Sequence, residues 1–212
     1  MRIQRLIVDS THSNTDLCKI CAASNSDKSP LETPNSQRHR HPYSSVYSML
    51  FSPLRNMPIQ FAEIGIAYGA SANAWFNWFS QARLCFFDRD ENFVAIIAQT
   101  SRSISAVMDV SKDGDVERAL AVPGGLYDVI LDDSSHEFEH QIRIIKEAIP
   151  FVKPGGYIIV EDIYRSHNEK DYEDALTDIL DSFSMAYFVI CNHEERWSPG
   201  WNNDKMLVLV KK

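Results

Sequence analysis

The sequence predicts an α/β fold, a mostly parallel sheet with helices on both faces, and three observations predict it. Short runs rich in β-branched and aromatic residues recur at Phe61 to Ile66, Leu84 to Asp88, Ile104 to Met108, Tyr127 to Leu131 and Tyr157 to Val160. Segments with helical apolar spacing separate them, the alternation of a sheet built from crossover units. Acidic residues close several of the runs, at Asp88, Asp132-Asp133 and Glu161-Asp162. A parallel sheet gathers such strand ends along one ligand-binding edge.

Taken in order, the opening run Leu6, Ile7, Val8 falls short of a secretory core, and no window approaches the roughly 20 apolar residues of a membrane span. The chain is therefore expected to be cytoplasmic. Asp16 to Ala23 reads as a short helix with Cys18 and Cys21 as small apolar positions, because no second cysteine pair follows to complete a zinc site. Ser24 to His41, rich in serine and asparagine with Pro30 and Pro34, reads as a surface loop or lid. We assign 1–57 to an N-terminal extension and 58–212 to a single domain. The chain has 212 residues, 44% hydrophobic and 24% charged, enough for one sizeable core.

The first regular run leads into Glu63-x-Gly65-x-x-x-Gly69-x-Ser71 and a helix containing Trp75, Phe76 and Phe79. The glycines let backbone approach a ligand closely, and Ser71 suits a helix cap. This spacing is not the dinucleotide fingerprint, which disfavours a pyrophosphate cofactor. Asp88, about 20 residues on, suits ribose hydroxyls. Asp109 follows the third run and either reaches an adenine or caps a helix.

After the fourth run, Ser134-x-x-Glu137 reads as a capping box. Phe138, Ile142, Ile145 and Ile149 then form one apolar stripe that Pro150 ends. Tyr172, Leu176, Ile179 and Phe183 mark a later helix. Ala186 to Cys191 and Lys205 to Val210 follow as closing strands around a loop with Trp197, Pro199, Gly200 and Trp201. This makes seven strands with an antiparallel finish.

Lys and Arg number 21 against 29 Asp and Glu, a net charge of −8, and the densest basic run is Arg38-His39-Arg40-His41. That balance argues against a nucleic-acid partner and for a small molecule. The carboxylates around His136 offer an oxygen cage for a hard divalent cation with a base beside it. Asp132 is expected to hold loop amides, since the adjacent Asp133 points the other way. His140 reads as solvated and His167 as a loop histidine. Trp197 and Trp201 either line a sugar site or pack on the sheet end.

Together, the Glu63 to Ser71 motif, Asp88 and Phe151-Val152-Lys153-Pro154-Gly155-Gly156-Tyr157 resemble the class I S-adenosylmethionine-dependent methyltransferases. Four further stretches narrow the resemblance to the metal-dependent sugar O-methyltransferases of macrolide tailoring, the mycinamicin and macrocin family. They are His41-Pro42-Tyr43-Ser44-Ser45-Val46-Tyr47, Pro53-Leu54-Arg55 followed by Ile64-Gly65, Asp132-Asp133-Ser134-Ser135-His136 and Val160-Glu161-Asp162. The similarity covers roughly Leu17 to Val210. One departure is Ala67-Tyr68, where the family usually has a further glycine.

The resemblance implies a Rossmann-like class I methyltransferase fold with S-adenosylmethionine held by Glu63, Gly65, Gly69, Ser71, Asp88 and Asp109. It further implies Mg2+ on Asp133, Glu161 and Asp162, with His136 as the base and Asp133 as its catalytic companion. The implied partner is a sugar-containing small molecule offering a hydroxyl, and a homo-oligomer is compatible with it. A sugar hydroxyl is a weak acid, so a cation that acidifies it and an imidazole that takes its proton belong together. Other readings on the same fold are a catechol-type methyltransferase, a relative of the cephalosporin hydroxylases, and a non-catalytic S-adenosylmethionine-binding module. The presence of both the histidine and the acidic pair favours chemistry, since a pure binder needs neither.

Overall fold

A computed structural model describes residues 2–31, 40–194 and 202–212. In chain order the elements are β1 (Gln4–Asp9), α1 (Asp16–Ala23), α2 (Ser44–Phe51), β2 (Gln60–Ile64), α3 (Ala70–Trp78), β3 (Arg83–Asp88), α4 (Glu91–Ala95) and β4 (Ser103–Val107). There follow α5 (Asp115–Ala121), β5 (Tyr127–Asp132), α6 (Phe138–Ala148), β6 (Val152–Ile163), α7 (Glu169–Ala175), β7 (Phe183–Asn192) and β8 (Lys205–Lys211). All eight strands join one sheet in the order β1-β7-β8-β6-β5-β2-β3-β4. Only β8 runs against its neighbours β6 and β7, and the other pairings are parallel.

Strand periodicity builds two cores from one sheet. Ala62, Ile64, Cys85, Phe87, Ile130, Ile158 and Val160 pack in one core with Ile144 and Ile145 of α6 and Val116 of α5. Their alternating neighbours Phe61, Leu84, Phe86, Val129, Leu131 and Ile159 pack in the other. That second core also takes Leu17 of α1, Tyr47 and Phe51 of α2, and Trp75 of α3. Side chains two apart share a face, so nearly every central-strand position is apolar and covered by helices.

The sheet has eight strands where seven were expected, and the extra one is β1. Its short apolar run is paired in parallel with β7, from Gln4 opposite Tyr187 to Asp9 opposite Asn192. As an edge strand with mostly exposed side chains, β1 lacks the buried alternation that marks a strand in sequence. The capping box is not formed either. Helix α6 starts at Phe138 with Glu137 as its N-cap and no capping side chain. Ser134 instead donates its Oγ to Asp132 Oδ1 at 2.5 Å. The stretch from Tyr172 to Phe183 is not one helix, since α7 ends at Ala175 and Phe183 opens β7. Arg38, His39, Trp197 and Trp201 lie outside the described residues. No helix among the described residues is long and apolar enough to cross a membrane.

Candidate active site

Strand β2 has β3 on one side and β5 on the other, so the chain reverses its direction of travel across the sheet between them. A crevice opens at the carboxyl ends of such strands. Here it is a cavity of about 790 Å³, whose lining includes Gly65, Asp88, Asp109, Asp133, His136 and Asp162. This volume lies within the usual range for small-molecule sites.

Each wall follows from local backbone chemistry. Gly65 has φ 100° and donates its N–H to Phe87 O at 2.7 Å. The following amides of Ile66 and Ala67 donate to Asp88 Oδ2 at 2.8 and 3.2 Å. Asp90 N donates to the other oxygen, Oδ1, at 2.9 Å. Asp88 thus fixes the glycine turn as well as lining the cavity. Gly69 is the N-cap of α3, so Ser71 is not the cap but sits in the first turn. There it donates to Glu63 Oε2 at 3.0 Å. Asp109 Oδ1 accepts from Ser111 Oγ at 2.6 Å, and Asp109 pairs with Lys112 at 3.1 Å. Those contacts hold its carboxyl down at about 2. It does not cap α5, which begins after Gly114.

Glu63 is wholly buried beneath this loop, and burial pushes its carboxyl up to about 7 despite the nearby Lys28 charge. A carboxyl raised in the native state adds stability that is complete below its ordinary value of 4.5 and is lost as pH rises through 7. At about 1.4 kcal/mol for each tenfold change in proton affinity, the loss is about 3 kcal/mol. Glu63→Gln keeps an acceptor for Ser71 and removes the titration. Urea denaturation at pH 5 and pH 8 should therefore show a smaller fall in stability for the variant. An identical fall in both proteins would exclude Glu63 as the source.

The acidic cluster depends on a bulge. In β6, Val160 pairs with Leu207 and Ile163 with Lys205, so one extra residue is inserted at Glu161-Asp162. A bulge re-aims side chains that would otherwise alternate. Asp162 takes φ 58° and Glu161 is buried beside it. Asp133 follows β5, anchored by its N–H to Ile64 O at 2.8 Å, and His136 stands in the loop before α6 with φ 59°. Non-glycine residues with left-handed backbone among those described are Asn25, Ala67, His136 and Asp162, and all four line the cavity. Such conformations persist where the surroundings over-determine them, and functional sites collect them.

The structure brings Asp133, His136 and Asp162 together, with one ligand atom from each within 4.8 Å of the others. Two carboxylates and an imidazole form a donor set that fits a divalent cation. His136 Nε2 lies 3.4 Å from Asp162 Oδ2. On the other oxygen, Oδ1, His41 Nδ1 lies at 3.0 Å and Tyr43 OH donates at 2.7 Å. Burial opposes ionisation of Asp162, but the His41 charge and hydrogen bond prevail and hold the carboxyl below its ordinary range. Glu161 stands apart from this trio: it accepts from Lys28 Nζ and Tyr47 OH. Asp132 holds the loop as expected, accepting from Ser134 N at 3.1 Å. His140 Nδ1 faces Ser135 Oγ at 2.8 Å, and His167 stacks on Phe138 with ring centroids 4.9 Å apart.

Lys28, His41, Tyr43 and Tyr47 carry no assigned role in the sequence reading, although the last three belong to a quoted motif. Their signal is a basic or aromatic residue in a polar stretch that nevertheless ends up buried, which periodicity does not report.

Residues 62–163 match a family model described as a methyltransferase domain. The match takes in just under half of the chain. The chain's fold is the Rossmann-like class I methyltransferase fold, seen also in the MycE methyltransferase from the mycinamycin biosynthetic pathway, solved with Mg and SAH. That likeness has a TM-score of 0.67 at 18% identity, over 93% of this chain and 55% of the other. Among curated relatives, the demethylmacrocin O-methyltransferase of Streptomyces fradiae is 26% identical over 134 residues, 60% of this chain and 33% of its own length. The mycinamicin VI 2''-O-methyltransferase of Micromonospora griseorubida is 24% identical over 135 residues, with the same coverage. A tetracenomycin rhamnosyl 3'-O-methyltransferase of Streptomyces olivaceus is 25% identical over 134 residues. The chain spans about a third of the length of the curated relatives it matches.

Proposed function

We propose that this protein is a methyltransferase that transfers a methyl group from S-adenosylmethionine to a hydroxyl of a sugar or sugar-bearing small molecule. The observation that carries the reading is the convergence of Asp133, His136 and Asp162 within 4.8 Å, on a cavity also lined by the Gly65 turn pinned to Asp88. The names of the relatives, O-methyltransferases of a rhamnosyl tetracenomycin, of demethylmacrocin and of mycinamicin VI, support the acceptor class.

Asp133 and Asp162 would hold a divalent cation, Mg2+ by analogy with the MycE complex. When bound, it would acidify the acceptor hydroxyl. His136 takes the proton of that hydroxyl, and the adjacent Asp162 stabilises the imidazolium that results. The new C–O bond forms as the C–S bond of the sulfonium breaks, and its electron pair stays on sulfur. The Gly65 turn and Asp88 position the nucleoside so that methyl and oxygen meet in line.

Calorimetry with S-adenosylhomocysteine is expected to show binding, and the melting temperature should rise at saturation. Asp88→Ala loses the ribose partner and loosens the turn, so affinity should fall by about tenfold or more. Transfer of labelled methyl to a glycosylated acceptor should stop in EDTA and return with Mg2+. Absence of nucleoside binding would overturn the reading, and full transfer in EDTA would remove the cation from it.

A further inference from the structure

Lys28 is a charged residue set inside the acidic cluster, with a side chain only 3% exposed. It belongs to a strap, residues 25–31 and 40–43, that crosses the carboxyl edge of the sheet and places Asn25, Ser26 and Asp27 on the cavity wall. Its Nζ donates to Asp133 Oδ2 at 2.6 Å and to Glu161 Oε2. The remaining oxygen of Glu161, Oε1, accepts from Tyr47 OH, so both of its oxygens are engaged and the side chain is fully buried. Asp133 gives Lys28 one oxygen while its side chain stays a quarter exposed. Asp162 has its own cationic neighbour in His41.

We infer that Lys28 is a resident cation of the active site that takes Glu161 out of the reach of a divalent ion, leaving the ion Asp133, Asp162 and the His136 side of the cluster. The inference rests on the proposed function only for the presence of the ion. A buried ammonium stays charged only when carboxylates compensate it, and a buried carboxylate already held by an ammonium and a phenol has little left to offer a second cation. Lys28 also lowers the negative charge that the ion meets at Asp133. It is a positioning residue: it orients Glu161 and Asp133 and sets how strongly the cluster draws a cation.

The test titrates Mn2+ alone into the full chain, followed by electron paramagnetic resonance and calorimetry, with thermal melts as a fold check. Glu161→Gln should stay within about threefold of the parent affinity. Asp162→Asn should weaken it by about tenfold or more, and Lys28→Met should strengthen it by about tenfold by releasing two carboxylates. Rising affinity on loss of a side chain is an effect that a merely structural lysine does not produce. The inference is overturned if folded Glu161→Gln loses the ion as severely as Asp162→Asn. A folded Lys28→Met that binds no more tightly than the parent overturns it too. Should Lys28→Met not melt cooperatively, the double variant with Glu161→Gln removes both partners of the buried pair. It should then fold and bind at least as tightly as the parent, and loss of the ion there overturns the inference. S-adenosylhomocysteine titrated into the same samples separates the two readings. Nucleoside binding with no ion response to Lys28→Met removes Lys28 alone, whereas tighter ion binding without nucleoside binding removes the methyltransferase function alone.

Discussion

Replacing His136 with alanine is expected to lower methyl transfer by about a hundred- to ten-thousand-fold, the range over which positioned acid-base groups contribute. Binding of S-adenosylhomocysteine should persist, because the proposed nucleoside wall is the turn of Gly65, Ile66 and Ala67 on Phe87 and Asp88, whose hydrogen bonds do not involve the imidazole. His136 holds a left-handed backbone at φ 59° and a side chain 26% exposed, so it is tethered by its loop and open to the cavity. Removing it deletes a partner of Asp162 but leaves His41 and Tyr43 on that carboxylate. The melting temperature should therefore change little. Single-turnover rates and nucleoside titration on the same sample decide the matter. A variant that methylates at the parent rate would make His136 a bystander, and one that loses the cation would make it a ligand.

Gly65→Ala should be the most damaging single methyl in the loop. A Cβ there would lie 2.0 Å from Asp133 O and 2.7 Å from Asp133 C, both backbone atoms that cannot step aside as a side-chain tip does. The φ of 100° adds strain that only glycine avoids. Since Asp133 N is itself anchored on Ile64 O, the clash would push apart the ends of β2 and β5 where the cavity opens. We expect a cost of about 3 kcal/mol, in the range of core overpacking together with backbone strain, or roughly 10 °C in melting temperature. Nucleoside binding should be lost alongside. Gly114→Ala is the control, with φ 74° and nothing within 4 Å of its Cβ, so it reports backbone strain without collision. Equal melting temperatures for the two variants would show that the close approach at Gly65 costs nothing.

The sheet was legible because its central strands are apolar on both faces and bounded by glycine, proline and acid, a pattern that a parallel arrangement forces on a chain. The cavity was legible for a related reason: Gly65, Asp88 and Asp133 stand at strand ends, and parallel strands carry their ends to one edge. Long-range partners were not. Lys28 meets Glu161 across 133 residues of sequence, and no local period encodes that pairing. The bulge at Glu161-Asp162 was equally hidden, because it is defined by register against β8 rather than by any turn residue. Local readings at Ser134 and Ser71 failed where a nearby carboxylate, Asp132 or Glu63, competed for the hydroxyl and won.

Strand β8 is synthesised after the other seven yet occupies the third position from one edge of the sheet. On a growing chain, β6 therefore has a free edge along Tyr157–Ile163, and β7 with β1 has no neighbour joining it to the rest. Open edges of this kind invite pairing with other chains, which places the period of greatest exposure late in translation. The bulge that aims Asp162 exists only opposite β8, between Leu207 and Lys205. A polypeptide stalled on the ribosome before Lys205 would thus contain every acid and histidine of the cluster without the register that turns them toward one another.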